Sequence, residues 1–235
     1  MKIDITGLTA ADIINISRQI NGGFCPSILR AFDHKKSNNK IFELMKKPSL
    51  YKSLKCDSGT FVLNMKGGLE KTDDYFVNYC NFVDEFKDHL DYYINFDAVF
   101  LGENAFPVNK GYQERMEAMG LEPVFVIHSL ADYEIDYVIR KKPKLVAIAS
   151  ALLRNEKEFD KIIPVVDKLY ANGILVHLLG CASYRRLTKA IKVWSCDASS
   201  YGRWASFNRM IYFSESVGKE IKLARSCCTR TGKFF

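Results

Sequence analysis

The chain has 235 residues, of which 48% are hydrophobic and 26% are charged, and these values are typical of a globular protein with its own core. No apolar run approaches the roughly 20 residues of a membrane-spanning helix, and the first residues lack the layout of a signal peptide, so we expect a cytosolic protein. Seven scattered cysteines, an odd number, predict reduced thiols and no structural zinc.

Short apolar runs alternate along the chain with stretches of helical periodicity. The runs occupy 27–32, 54–57, 98–102, 124–128, 145–150, 174–180 and 193–197, with a weaker one at 209–213. The spacing of apolar residues predicts helices at 10–20, 75–90, 109–119 and 156–171, the last with Pro164 as an internal break or kink. This alternation predicts βαβ units and a parallel sheet. Eight units close a barrel, fewer leave an open doubly wound sheet, and periodicity alone favours neither.

The absence of linkers and repeats predicts a single domain over 1–235, in which 1–25 has no assigned role. The formal net charge is +7, and the positive charges concentrate late in the chain. Arg185, Arg186, Lys189 and Lys192 occur without an acidic residue between them, and a further basic excess runs from 203 onward. These residues form either a solvated basic face or a track for a phosphate backbone.

The residues that end the predicted strands are unusually rich in catalytic types. They are Asp57, Glu103, His128, Ser150, Gly180 and Asp197. In a parallel α/β barrel the carboxyl ends of the strands surround the active site, so these residues are candidates for catalysis or substrate binding. Each carboxylate also suits a turn or a helix N-cap, and His128 also suits a satisfied position in the core. His177, which lies inside a strand, is expected to be structural.

Other residues near these positions suit contacts with a nucleobase or a phosphate. Glu103 suits reading the edge of a purine, and Gly180 allows a substrate to approach the backbone. After Asp197, the loop carries Tyr201, Arg203 and Trp204, which suit stacking on bases and holding phosphate.

Two segments resemble the tRNA-guanine transglycosylase superfamily. They are the segment Asp57-Ser58-Gly59-Thr60-Phe61, with Thr60 in place of a glycine, and Ser195-Cys196-Asp197. The resemblance covers most of the barrel, from Asp57 to Arg203, and implies a single (β/α)8 TIM-type barrel. It implies that Asp197 is the nucleophile that expels guanine and forms a covalent glycosyl–enzyme, and that Asp57 either acts as general acid and base or holds the geometry for base exchange. It places Glu103, His128 and Ser150 at the base, and Gly180, which allows close approach to the backbone, is expected to border the same base.

The chain lacks the cysteine and histidine spacing of the zinc subdomain that tRNA enzymes carry late in the sequence. In this it is more similar to the DNA-directed, DpdA-type branch, which implies DNA as the polymer, a 7-deazaguanine base as second substrate and no metal or other cofactor. Arg185, Arg186, Tyr201, Arg203 and Trp204 are then expected to bind the nucleic acid. The alternatives are the same exchange on tRNA, a barrel hydrolase or lyase acting on a small sugar phosphate, and a non-catalytic nucleic-acid-binding barrel.

Overall fold

The structure is a computed structural model of the chain. It describes residues 2–19, 26–33, 40–60, 72–97, 105–153, 155–181, 183–190, 192–198, 210–214 and 219–223.

Strands and helices alternate through the described residues. The strands are β1 (Lys2–Thr6), β2 (Ser27–Ala31), β3 (Ser53–Asp57), β4 (Tyr92–Tyr93), β5 (Phe125–Ile127), β6 (Leu145–Ile148), β7 (Leu175–Leu178), β8 (Ser195–Ala198), β9 (Met210–Ser214) and β10 (Lys219–Leu223). The α-helices are α1 (Ala10–Gln19), α2 (Lys40–Met45), α3 (Thr72–Phe86), α4 (Ala105–Ala118), α5 (Asp132–Lys141), α6 (Glu156–Ala171) and α7 (Tyr184–Lys189). Short 3₁₀ helices lie at Pro48–Leu50, Lys87–His89 and Ser150–Leu153.

The first eight strands form one parallel sheet that curls into a barrel. Its hydrogen-bonded order is β4-β3-β2-β1-β8-β7-β6-β5. The two ends of this order meet at a parallel bridge between Ile94 and Val124, where Val124 N–H donates to the Tyr93 carbonyl at 2.8 Å. Strand alternates with helix from β1 to β8, so the fold is a (β/α)8 barrel, as the resemblance implies, and not an open doubly wound sheet.

The sheet is covered outside by helices and filled inside by side chains. β5, β6 and β7 are buried nearly throughout, which explains their continuous apolar sequences. Two apolar clusters lie between the strands and the surrounding helices, one on each half of the barrel. A third, smaller cluster includes Leu29, Ile94, Val126 and Ala147.

Three predicted elements differ from the structure. The first barrel strand is β1, within the N-terminal segment that had no assigned role, so Asp57 ends the third strand and Asp197 lies on the eighth. The run 98–102 lies outside the described residues, and the fourth strand is the earlier pair Tyr92–Tyr93. The weak run 209–213 corresponds to β9, which pairs with β10 antiparallel and not with the barrel.

The predicted helices agree with the structure more closely than the predicted strands do. The helix predicted at 10–20 corresponds to α1, and Pro164 lies inside α6 without dividing it. None of the helices in the described part of the chain combines the length and the apolar composition of a membrane-spanning segment.

Candidate active site

Asp57 is the last residue of β3, and the turn after it depends on one glycine. Gly59 has a φ of +76°, in the left-handed region. A β-carbon at this position would lie 2.6 Å from the Tyr75 hydroxyl and would also collide with the backbone carbonyl of Phe32. Tyr75 donates a hydrogen bond to that carbonyl at 3.0 Å, which fixes both groups. The turn that presents Asp57 therefore requires glycine.

The surroundings of Asp57 raise its pKa from 3.8 to about 7. Burial is the largest cause, and the negative charges of Asp97 and Asp197 raise the pKa further, whereas backbone N–H groups of Gly59 and Ser58 oppose the rise. Asp57 ends β3, Asp97 follows β4 and Asp197 is the penultimate residue of β8, so the three carboxylates share one end of the barrel. Because its pKa is near neutrality, Asp57 can both donate and accept a proton at neutral pH.

Asp197 lies on β8 with one carboxylate oxygen held by two donors. The backbone N–H of Gly180 donates to Oδ1 at 2.8 Å, and Nε2 of His177 lies 3.2 Å from the same oxygen. Gly180 has a φ of +70°, and a β-carbon there would lie 3.2 Å from Cβ of Ser150. Within the described residues no hydrogen bond involves Oδ2.

Asp97 follows β4 and contacts His128, which follows β5. Nε2 of His128 contacts Oδ1 of Asp97, and Nδ2 of Asn109 donates to the same oxygen at 3.2 Å. Burial lowers the pKa of His128, but the hydrogen bond and the charge of Asp97 outweigh it, so the pKa is raised overall. The backbone N–H of His128 donates to Glu134 at 2.9 Å, which holds the turn after β5. The carboxylate and the imidazole thus form a fixed pair.

The inner face of the barrel carries a chain of polar side chains below the carboxylates. Nδ1 of His177 lies 2.7 Å from Oγ of Ser195 and 3.2 Å from the Tyr92 hydroxyl. Tyr92 donates to Oδ2 of Asp4 at 3.2 Å, and Nζ of Lys55 forms an ion pair with Oδ1 of Asp4 at 2.6 Å. All five side chains are buried. Because buried charges are tolerated only when paired, Asp4 and Lys55 depend on each other.

A cavity of about 1150 Å³ opens at the opposite end of the barrel. Its lining includes the first residues of several strands, among them Ser27, Ser53, Tyr92, Phe125 and Leu175. The three carboxylates lie at the other ends of the strands, so this cavity is separate from the candidate active site.

The structure describes some of the predicted site residues and leaves others out. Asp57, His128, Ser150, Gly180 and Asp197 lie at the carboxyl ends of β3, β5, β6, β7 and β8. Outside the described residues lie Glu103, Tyr201, Arg203, Trp204 and the side chain of Arg185. Arg186 is described, and its Nε forms an ion pair with Glu156 at 3.0 Å. The base-binding and nucleic-acid-binding roles of all these residues stay predictions.

Two further residues belong to the site and are not among the predicted ones. Asp97 follows a strand of only two residues, and the more apolar run 98–102 is the stronger strand signal in the sequence. His177 lies within an apolar strand, where a histidine is usually structural. The sequence pattern that could have identified His177 is the alternation of side chains along a strand. Every second residue of a barrel strand faces inward, and the neighbouring strand β8 carries Asp197.

No group of three or more potential metal ligands occurs in the part of the chain that the structure describes. Comparison with known protein families and with curated proteins finds no match for this chain.

Proposed function

We propose that this chain is a guanine transglycosylase, a pentosyltransferase that replaces guanine in DNA by a 7-deazaguanine base. The observation that carries the proposal is the contrast between two carboxyl groups at one end of the barrel. Asp57, with a pKa of about 7, holds a proton in a large fraction of molecules at neutral pH. Asp197 is fixed at Oδ1 and presents Oδ2. One group is thus suited to protonate a leaving base and the other to attack a sugar.

In the first half of the reaction, Oδ2 of Asp197 attacks the anomeric carbon of the target nucleoside. The bond between this carbon and guanine breaks, and Asp57 donates its proton to the departing base. The product is a covalent glycosyl–aspartate and a neutral guanine, with Asp57 left as a carboxylate. The attack passes through an oxocarbenium-like transition state, which a carboxylate on one face stabilises.

In the second half, the incoming 7-deazaguanine base replaces guanine. Asp57 accepts a proton from a ring nitrogen of this base, and the nitrogen attacks the anomeric carbon. The bond to Asp197 breaks and returns the nucleophile as a carboxylate. Both half-reactions use the same two groups, with the role of Asp57 reversed, so no cofactor or redox step is needed.

Asp97 and His128 are the proposed contacts for the base. Both described donors to Asp97 bond to Oδ1, which leaves Oδ2 to accept an N–H from the heterocycle. Asp97 is proposed as a contact for the base in addition to Glu103, the acid to which the resemblance gives recognition of the base. Gly180 contacts Asp197, Ser150 lies next to Gly180, and both are proposed to border the same base.

DNA is the proposed polymer because the chain carries a net charge of +7 and its sequence lacks the zinc-ligand spacing of the tRNA enzymes. The target guanine has to leave its stack to reach Asp197, and this costs a few kcal/mol. Arg203 and the aromatic residues Tyr201 and Trp204 are proposed to hold the backbone and to stack on the bases. The same chemistry on tRNA differs only in the polymer, so the two substrates are tested together.

The test measures covalent capture of the polymer. The protein is incubated with guanine-containing DNA or tRNA, with and without a 7-deazaguanine base, and resolved on denaturing gels. We expect an adduct and released guanine with the wild type, no adduct with Asp197→Ala, and slow release with Asp57→Asn. Asp88→Asn, which changes an exposed carboxylate, is the matched control and should retain full activity.

Each outcome separates the competing functions. An adduct on tRNA alone contradicts DNA as the polymer but retains the chemistry. Binding of DNA without adduct or guanine release points to a non-catalytic barrel. Inactivity on both polymers together with cleavage of a small sugar phosphate indicates a hydrolase or lyase. Full activity of Asp197→Ala contradicts the assignment of the nucleophile.

A further inference from the structure

The nucleophilic carboxylate of the proposed function is held by a side chain from the neighbouring strand. Of the two donors to Oδ1 of Asp197, one is the backbone N–H of Gly180 and the other is the ring of His177. Both belong to β7 or the turn that follows it, and His177 is fully buried. A carboxylate that is fixed through one oxygen can rotate little, so the direction of the other oxygen is set by these contacts.

The contact between His177 and Asp197 indicates that Nε2 carries a proton. The Tyr92 hydroxyl has one proton and donates it to Asp4, because an ionised carboxylate only accepts. Nδ1 lies 2.7 Å from Oγ of Ser195, a hydroxyl that can either donate to this nitrogen or accept from it. Nε2 carries the ring proton and donates it to Asp197. A bare Nε2 would instead direct its lone pair at a carboxylate oxygen, and this arrangement is repulsive.

A histidine on the inside of a barrel is otherwise unfavourable. Barrel interiors are mostly filled by branched apolar side chains, and a buried polar group destabilises the fold unless it is hydrogen-bonded. His177 makes contacts through both ring nitrogens. The series of polar side chains that begins at His177 ends at the ion pair of Asp4 and Lys55. The interior therefore fixes the ring from below, which leaves its Nε2–H aimed at Asp197.

We infer that His177 is a positioning residue for the nucleophile. Its Nε2–H and the N–H of Gly180 hold Oδ1 of Asp197 and turn Oδ2 toward the anomeric carbon. The inference rests on the proposed function for its catalytic consequence, but the contact itself is independent of any substrate. His177 does not touch the reacting atoms, so its loss should lower the rate of the covalent step and leave polymer binding intact.

The first measurement concerns the contact. The chain has four histidines, so ¹⁵N–¹H correlation spectra of the imidazoles are simple, and the His177→Gln spectrum assigns the signals of His177. We expect the Nε2–H tautomer in the wild type and a shift of this Nε2–H signal in Asp197→Ala. An Nδ1–H tautomer with a bare Nε2 overturns the inference.

The second measurement concerns the rate. In His177→Leu the donor is lost, and we expect kcat for guanine exchange to fall roughly 10- to 100-fold with KM for the polymer unchanged, the range for a lost hydrogen bond to a charged group. His177→Gln keeps an N–H at the reach of Nε2 and should recover most of this loss. Val176→Ala is the control for stability, because Val176 is buried on the same strand but packs in the outer cluster against the helices.

The outcomes distinguish this inference from the proposed function. Wild-type kcat in His177→Leu overturns the positioning role, and so does an equal loss in Val176→Ala or a failure of glutamine to restore the rate. A wild-type protein that shows the Nε2–H tautomer and its response to Asp197→Ala, but exchanges no guanine, contradicts the proposed function alone.

Discussion

Replacing Asp57 by asparagine is expected to make the folded protein more stable at alkaline pH and to impair the proposed exchange reaction. The rise of the pKa from 3.8 to about 7 means that the fold disfavours the ionised carboxyl group. Each unit by which the pKa rises corresponds to about 1.4 kcal/mol, so ionising Asp57 in the folded chain costs up to about 4 kcal/mol. An asparagine is neutral and retains an oxygen for the backbone N–H groups of Ser58 and Gly59.

The sign of the effect follows from the protons bound in each state. Well below pH 3.8, Asp57 is protonated in the folded and the unfolded chain, and the cost is absent. Between pH 3.8 and 7 the unfolded chain releases a proton that the folded chain retains, so the free energy of unfolding falls as the pH rises. Above pH 7 the full cost is present. Asp57→Asn should therefore gain little at pH 4 and most at pH 8.

The assay is urea unfolding, followed by circular dichroism at pH 4, 6 and 8. The difference in the free energy of unfolding between Asp57→Asn and the wild type should grow with pH toward about 4 kcal/mol. Asp88→Asn, on an exposed 3₁₀ helix, controls for the general effect of removing a negative charge. A difference that is independent of pH, or a variant less stable than the wild type at pH 8, refutes this account of Asp57.

Three further variants test the scaffold of the site. Lys55→Met leaves the carboxylate of Asp4 buried without its partner, and urea titration should show a loss of roughly 3–5 kcal/mol; an unchanged midpoint contradicts the pairing. Gly59→Ala forces a left-handed backbone onto alanine, which costs about 1–2 kcal/mol of stability before the collision of the added β-carbon is counted. The melting temperature should therefore fall and adduct formation should be lost. Glu134→Gln weakens the acceptor for the backbone N–H of His128, so hydrogen exchange at that amide should be faster. The free energy of unfolding should fall by roughly 1–3 kcal/mol.

The sequence predicts the fold wherever local pattern and tertiary environment agree. β5, β6 and β7 are continuous apolar runs because both of their faces are buried, and the helices between them show clear periodicity. β1 is missed because it alternates Lys2, Asp4 and Thr6 with apolar residues, which looks like a half-exposed strand. Its polar side chain Asp4 faces the barrel interior, where it is stabilised by Lys55, a residue 51 positions away.

The same reasoning separates the predicted from the missed parts of the site. Asp57 and Asp197 are found from sequence because each ends an apolar run. Asp97 and His177 acquire their place only through contacts across the barrel, with His128 at a separation of 31 positions and with Asp197 at a separation of 20. No local pattern records such contacts, because the partners meet only after strand order and register are set.

The pairing of β1 with β8 has a consequence for how the protein folds. Asp197 lies opposite Asp4 across this seam, and the two residues are about 190 positions apart, a separation that slows folding because a long segment must be ordered before the contact forms. A partly folded chain with β1 to β7 in place exposes two unpaired strand edges, and Asp197, the proposed nucleophile, is not yet in position. Gain of the proposed exchange activity during refolding should therefore coincide with the pairing of β8 with β1, so that activity reports on this long-range contact.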